Sequence, residues 1–215
     1  MRYLLMGLLL LHTISCTRIF YATNAKFGKE KRDILASRVK DARREQEETK
    51  EQFQTTLEAF QAVTGFQGGQ LESVYKKLNK EFEKSEDRAN EVRDRISAVE
   101  RVANDMFREW GQEIDQIGDR DLKSKSRALM RGTQGRCNTL LLRMKEAEIR
   151  MMPVLRAFRD QVLFLKHNLN AQAIQSLRET SVRIDADVSA LVRDMETSIR
   201  EADSFVAALE RNGDQ

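Results

Sequence analysis

Residues that interrupt regular structure are scarce in this chain. Its 215 residues include one proline and ten glycines, and proline disrupts both helix interiors and central strands. Aromatic residues make up 7% of the sequence, a modest supply for a thick globular core. Charged residues make up 33% and apolar residues 40%, a balance typical of long helices and coiled coils. We therefore expect thin apolar seams between long helices rather than a compact globule.

Cysteine and histidine are equally scarce. Two cysteines, Cys16 and Cys137, cannot build a disulfide framework or a zinc site. Cys137 falls on a predicted helix seam, so a buried structural thiol is expected, with an intermolecular disulfide as the alternative. His167 is the one histidine after residue 15, which excludes a bundle with repeated Glu-x-x-His metal ligation. No HExxH, CxxC or EF-hand spacing occurs. We expect no metal, no cofactor and no enzymatic activity.

Neither sign of charge is in large excess. The chain has 37 Lys and Arg residues against 34 Asp and Glu residues, a net charge of +3. A general nucleic-acid-binding protein usually presents a dominant basic face, so nucleic acid is not an expected partner. Strong positive charge occurs only locally, because residues 120–145 contain eight Lys and Arg residues and a single acid, Asp121.

The N-terminal apolar run is too short to cross a membrane. Residues 3–11 are nine apolar or small residues, whereas a transmembrane helix needs about 20. With Arg2 before it, the run matches a secretion signal peptide, which we predict over residues 1–15.

The tetrad TISC at 13–16 resembles a bacterial lipobox, in which the cysteine receives diacylglycerol. We therefore predict Cys16 as the lipidation site and residues 16–29 as a lipid-anchored tether. Thr17 follows the cysteine where Asp would signal retention, which by resemblance to enterobacterial sorting rules indicates the outer membrane; the inner membrane is the alternative. An ordinary cleaved signal and a cytoplasmic protein with an apolar tail are the other interpretations.

Apolar residues after the tether follow a heptad rhythm, with alternating spacings of four and three. The four seams cover residues 35–63, 71–110, 137–169 and 184–209. Four such helices with short connections predict an all-α fold, a long antiparallel coiled-coil bundle of about four helices. We expect it to form a single elongated domain over residues 30–212. Three members of the first seam are polar: Gln46, Thr49 and Thr56.

Turn-forming residues indicate where the helices are connected. GFQGGQ at 65–70 predicts the first turn, with Gly65 as a C′ glycine that ends the helix. Gly118 and the polar run to Ser126 predict the second loop. For the third turn we favour KHNLNA at 166–171, because Asn tolerates turn and cap conformations. The alternative is ETS at 179–181.

Up-and-down topology gives the predicted bundle two different ends. Helix one leads away from the anchor and helix two returns, so the second connection and the start of helix three lie near the membrane. Basic residues there are predicted to contact anionic headgroups: Lys123, Lys125, Arg127 and Arg131. The alternative is a solvated helix face whose charges pair with acids on neighbouring helices.

The opposite end, up to about 70 Å away, combines the first and third turns. A polar patch there is predicted to bind a protein partner: Phe66, Gln67, His167, Asn168 and Asn170. The alternative is that these residues only cap helices and form turns.

Four stretches of the sequence are similar to the bacterial family of domain of unknown function 2959: KRDIL, FQGGQLESVYKKLN, MMPVLRAFRDQVLFLKHNLNAQAI and EADSFVAAL, at 31–35, 66–79, 151–174 and 201–209. The resemblance implies a coiled-coil protein of Gram-negative bacteria, often with a lipoprotein-like N-terminus. It implies no known activity, cofactor or catalytic residue.

The sequence thus predicts a non-catalytic envelope lipoprotein, a coiled-coil spacer, tether or adaptor on the periplasmic face of the outer membrane. The membrane and a protein of unknown identity are the expected partners, and a homo-oligomer is left open. The alternative function is a cytoplasmic coiled-coil protein that binds DNA or a nucleoid partner.

Overall fold

Four long helices make up most of the described chain. The computed structural model describes residues 31–211, in which α1 covers Lys31–Thr64, α2 Leu71–Asp115, α3 Arg120–His167 and α4 Ala171–Arg211. They contain between 34 and 48 residues, or about 51 to 72 Å at 1.5 Å per residue. No strand occurs in this range, and none of its helices carries an apolar stretch sufficient to span a bilayer.

The helices form an up-and-down bundle. Helices α1 and α3 each pack mainly on α2 and α4, so consecutive helices are neighbours and α4 returns to α1. The ion pairs fix antiparallel alignment: Lys40 and Arg43 of α1 pair with Glu210 and Asp203 of α4. The predicted all-α helical bundle is confirmed.

The heptad seams supply the core. Along α2, the seam residues from Leu78 to Met106 are buried. Phe60 of α1 and Phe158 of α3 are also fully buried and meet edge-on, with ring centroids 6.2 Å apart at an interplanar angle of 70°. Because α1 and α3 lie diagonally across the bundle, this pair fills its centre.

The first turn lies where the sequence predicts it, since α1 ends at Thr64 and α2 begins at Leu71. The prediction that Gly65 is the C′ glycine of α1 is wrong. Its N–H donates to the Gln61 carbonyl at 2.8 Å, a helical bond, and the glycines with positive φ are Gly68 (+151°) and Gly69 (+111°). The chain therefore reverses later in the loop than the C′ glycine pattern indicates.

The second connection is shorter than predicted. It covers residues 116–119, and the polar run to Ser126 is already part of α3. Asp119 is the N-cap of α3, and its Oδ1 accepts from the Leu122 N–H at 2.8 Å. A capped start makes a polar first turn stable in solvent, so low hydrophobicity here does not mark a loop.

The third turn lies within the favoured range. Residues 168–170 connect α3 to α4, and the alternative at 179–181 is wrong because those residues are inside α4. Helix α3 also continues through Pro153.

The two ends of the bundle differ in shape. Lys31, the first residue of α1, pairs with Glu109, so α2 continues six residues further, to Asp115. Asp194 of α4 pairs with Arg150, and α4 ends seventeen residues later, level with Thr133 of α3. Within the part of the chain that the structure describes, residues 110–132 therefore extend past α1 and α4 as a two-helix hairpin, and we call this the hairpin end.

The opposite end, which we call the two-loop end, contains the loops 65–70 and 168–170. Arg178 of α4 joins it to the end of α1, because its Nε donates to the Thr64 carbonyl at 2.6 Å.

Candidate functional site

The structure separates the two predicted surface patches. Lys123, Lys125, Arg127 and Arg131 lie in the first three turns of α3, at the hairpin end. The five residues predicted to bind a partner lie at the two-loop end, in or beside its loops. The patches are therefore separated by most of the length of α3.

Two of the four basic residues at the hairpin end form hydrogen bonds across the α2–α3 connection. Lys123 Nζ donates to the Asp115 carbonyl at 3.0 Å, and Arg127 Nη2 donates to Asp115 Oδ1 at 2.8 Å. The Arg127 hydrogen bond, followed by the Lys123 charge, holds the pKa of Asp115 below its usual range. These two residues thus follow the alternative interpretation, in which the basic side chains pair with an acid on the neighbouring helix.

The other two basic residues are free to meet an external anion. Lys125 and Arg131 are exposed, and neither forms an ion pair with any residue between 31 and 211. An anionic surface could therefore approach these two side chains without breaking an ion pair within the described helices.

At the two-loop end, the two asparagines act as helix caps. Asn168 Nδ2 donates to the Phe164 carbonyl at 2.9 Å at the end of α3. Asn170 Oδ1 accepts from the Ala173 N–H at 2.9 Å at the start of α4. Gln67 and His167 are exposed and Phe66 is half-buried, so these three side chains are accessible at the two-loop end.

A shallow groove adjoins this patch at the start of α2. It is lined by Gln70, Leu71, Glu72, Ser73 and Lys76. Glu72 Oε1 and Lys76 Nζ are 2.7 Å apart, and this hydrogen bond holds the pKa of Glu72 below its ordinary value. The lining contains no histidine or cysteine, and its acid is paired with its base. The groove is therefore suited to polar contact rather than to general acid–base chemistry.

Two of the three polar positions of the α1 seam, Gln46 and Thr56, form buried hydrogen bonds to neighbouring helices. Ser198 Oγ donates to Gln46 Oε1 at 2.9 Å, and the hydroxyls of Thr56 and Ser85 are 2.8 Å apart. Gln46 Nε2 and Thr49 Oγ1 are buried without a partner in the described part of the chain. A slip of one helix would leave more such groups unpaired, so this layer fixes the alignment of the helices.

Cys137 is a free, fully buried thiol on the α3 seam. Its expected burial is confirmed. Burial alone raises the pKa of Cys137 to about 12, because an apolar interior disfavours the thiolate. The sulfur is thus held in its unreactive form.

Metal-ligating residues do not cluster in the described helices. Between residues 31 and 211, no three His, Cys, Asp or Glu side chains are placed to hold a metal ion together.

Comparison with known proteins supports the resemblance found in the sequence. A family model described as "Protein of unknown function (DUF2959)" matches residues 20–209. No curated protein and no solved structure matches the chain. The family match covers all four helices almost completely and begins eleven residues before α1. The chain therefore belongs to the DUF2959 family of proteins of unknown function.

Proposed function

We propose that this protein is a non-catalytic, lipid-anchored protein of the bacterial cell envelope. It acts as a rigid spacer, tether or adaptor between the membrane and another envelope component. Its anchor is Cys16, after removal of residues 1–15 as a signal peptide, and its location is the periplasmic face of the outer membrane.

One observation carries this proposal: α1 begins at the hairpin end, beside Glu109. Only fourteen residues separate Cys16 from Lys31, so a lipid on Cys16 keeps the hairpin end close to the membrane. The bundle then extends away from it by the length of α3, about 72 Å. A filled core along this length supports a structural role, since it resists bending.

The two-loop end supports the adaptor part of the proposal. Gln67, His167 and the groove beside Lys76 are exposed at the end remote from the anchor. Polar, exposed loops on a rigid scaffold are common sites of partner binding.

The proposal is tested by changing the anchor. In the native host, Cys16→Ala should abolish incorporation of labelled palmitate and move the protein from the membrane fraction to the soluble fraction. Each lipid chain contributes about 0.8 kcal/mol per buried CH₂, so losing the acyl chains removes nearly all membrane affinity.

The matched control is Cys137→Ala, which removes the other cysteine of the chain. This variant should keep both the label and the membrane location. If Cys16→Ala remained in the membrane fraction like Cys137→Ala, the lipoprotein proposal would be wrong. A wild-type protein that is unlabelled, uncleaved and cytosolic would favour the alternative DNA-binding function.

Charge at the hairpin end adds a second, weaker membrane contact. We expect Lys125→Glu/Arg131→Glu to weaken binding of the unlipidated protein to anionic vesicles by roughly 30-fold or more, at about 1 kcal/mol per basic residue lost. Raising the salt concentration should reduce the difference, since exposed charges are screened. Vesicle co-sedimentation measures both effects.

The control for this test is Arg183→Glu/Arg193→Glu, the same change of charge at exposed positions of α4. It should bind vesicles better than the hairpin-end variant. Equal weakening by both variants would mean that net charge, and not the hairpin end, governs membrane contact.

A further inference from the structure

Helix α3 exposes more apolar side chains than the other helices do. Between residues 31 and 211, nine large apolar side chains are exposed, and seven of them lie on α3, whereas none lies on α1 or α2. Ile149 is 70% exposed and Leu163 is 51% exposed. Single exposed apolar residues are normal on a protein surface, but a continuous row of them indicates a surface that packs against something.

Five of the seven lie on or beside a second heptad row of α3. Its spacings alternate between four and three, as in the core seam, but it follows the side of the helix that faces away from the core. All of its members are exposed. Met152 and Phe164, which are 39% and 40% exposed, widen the row on its two sides. We call the row the outer seam, and it consists of Leu142, Glu146, Ile149, Pro153, Arg156, Asp160 and Leu163.

Ion pairs on both flanks of α3 keep the outer seam turned away from the bundle. On one flank, Arg159 pairs with Glu86 of α2. On the other flank, Arg150 pairs with Asp194 of α4. The outer seam lies between these flanks, so neither of the two helices that pack on α3 covers it.

Two opposite charges lie within the outer seam. Arg156 and Asp160 are exposed, and neither forms an ion pair with any residue between 31 and 211. Apolar residues flank them in the row, with Pro153 on one side and Leu163 on the other. A partner that brings an acid to Arg156 and a base to Asp160 would pair both charges while it covers the apolar residues.

A second copy of the chain presents these charges in the required order when its α3 runs antiparallel. In a two-fold arrangement, Arg156 of each copy can face Asp160 of the other. The same alignment places Pro153 of each copy opposite Leu163 of the other, because both pairs are centred on residue 158. A parallel alignment would instead bring like charges together, which is unfavourable.

We propose that the outer seam is the interface of an antiparallel homodimer. Ile149, Pro153 and Leu163 supply its apolar contact, and the two Arg156–Asp160 ion pairs between the copies fix its alignment. The contact is centred on residue 158, much closer to the end of α3 than to its start. The two bundles therefore overlap near their two-loop ends, and the starts of their α3 helices lie about 110 Å apart, pointing in opposite directions. The dimer requires neither lipidation nor the proposed envelope function.

Sedimentation velocity of the mature chain carrying Cys16→Ala tests this dimer. We expect a reversible monomer–dimer equilibrium with substantial dimer at about 100 μM, because the contact is shorter than a standard stable interface. Arg156→Glu and Asp160→Arg, each alone, should weaken dimerisation by roughly tenfold or more, since each brings like charges together. The combined variant Arg156→Glu/Asp160→Arg restores opposite charges and should dimerise like the wild type. Far-ultraviolet circular dichroism checks that the helices remain folded in each variant.

The matched control for the apolar contact is Leu122→Ser/Leu129→Ser, which changes two exposed leucines of α3 outside the outer seam. It should leave dimerisation unchanged, whereas Ile149→Ser/Leu163→Ser should abolish it. A wild type that stays monomeric at this concentration would overturn the proposal, because the outer seam would then not bind a second copy. Dimerisation of Arg156→Glu equal to that of the wild type would also overturn it, as would a combined variant that stays monomeric.

Discussion

Phe158→Ala is expected to lower the free energy of unfolding by about 3–5 kcal/mol, the usual cost of truncating a buried phenylalanine. Phe158 is 0% exposed and meets Phe60 across the diagonal of the bundle. The cavity would lie where all four helices are present, so none of them can move inward without losing its other contacts. Urea denaturation followed by circular dichroism measures the loss.

Phe164→Ala is the control, because it makes the same substitution six residues further along α3. Phe164 is 40% exposed, and its truncation should cost no more than about 1 kcal/mol. A double-mutant cycle of Phe158→Ala with Phe60→Ala should give a coupling of about 0.5–1.5 kcal/mol. Similar losses for Phe158→Ala and Phe164→Ala would contradict the packing described for the centre of the bundle.

Cys137 is expected to react with thiol reagents on the order of a thousandfold more slowly in the folded protein than in urea. The folded pKa is about 12 and the unfolded value is about 8.5, so the reactive thiolate is correspondingly rarer in the folded state at pH 8. The measurement is the labelling rate in the Cys16→Ala protein, in which Cys137 is the sole thiol. The control is Cys137→Ala/Asn138→Cys, which moves the thiol to an exposed neighbour and should react rapidly.

The same pKa shift makes stability depend on pH. Between about pH 8.5 and 12 the unfolded thiol has lost its proton and the folded one has kept it, so stability falls as pH rises through this window. The slope should be steeper for the wild type than for Cys137→Ala. Rapid labelling of folded Cys137, within tenfold of the exposed control, would contradict its burial.

Periodicity alone identifies most of this fold. The buried residues of α2 from Leu78 to Met106 follow the four-and-three spacing that predicts them. The first and third turns are also predictable, because glycine and asparagine have local conformational preferences that do not depend on distant contacts.

Where each helix loses its neighbours is not encoded in its own periodicity. On the α3 seam, Cys137 is fully buried, whereas Met130, seven residues earlier on the same line, is only half-buried at a level beyond the last residue described for α4. Likewise, the second loop is predicted too long because a polar first turn resembles a loop until the Asp119 cap is seen.

The basic cluster at the start of α3 is a further case in which the sequence alone is not sufficient. Lys123 and Arg127 are indistinguishable from Lys125 and Arg131 in composition, and only the fold brings Asp115 to the first pair. Sequence therefore locates the cluster correctly at the α2–α3 connection but cannot divide it into paired and free charges.

Together, the unequal helix lengths give the protein a direction. Its hairpin end combines the start of α1 with the exposed charges of Lys125 and Arg131, whereas its two-loop end exposes polar side chains and a groove. The proposed spacer role would use this difference, since one end would hold the membrane and the other would reach a partner.

The central claim, that the hairpin end faces the membrane and the two-loop end points away, is tested most directly by energy transfer. Lipidated protein with a donor at Lys125→Cys or at Gln67→Cys, each in a Cys137→Ala background, is reconstituted into vesicles with an acceptor in the headgroups. We predict strong transfer from position 125 and weak transfer from position 67, which lies about 70 Å further along the bundle. Equal transfer from the two positions, or stronger transfer from position 67, would contradict the account.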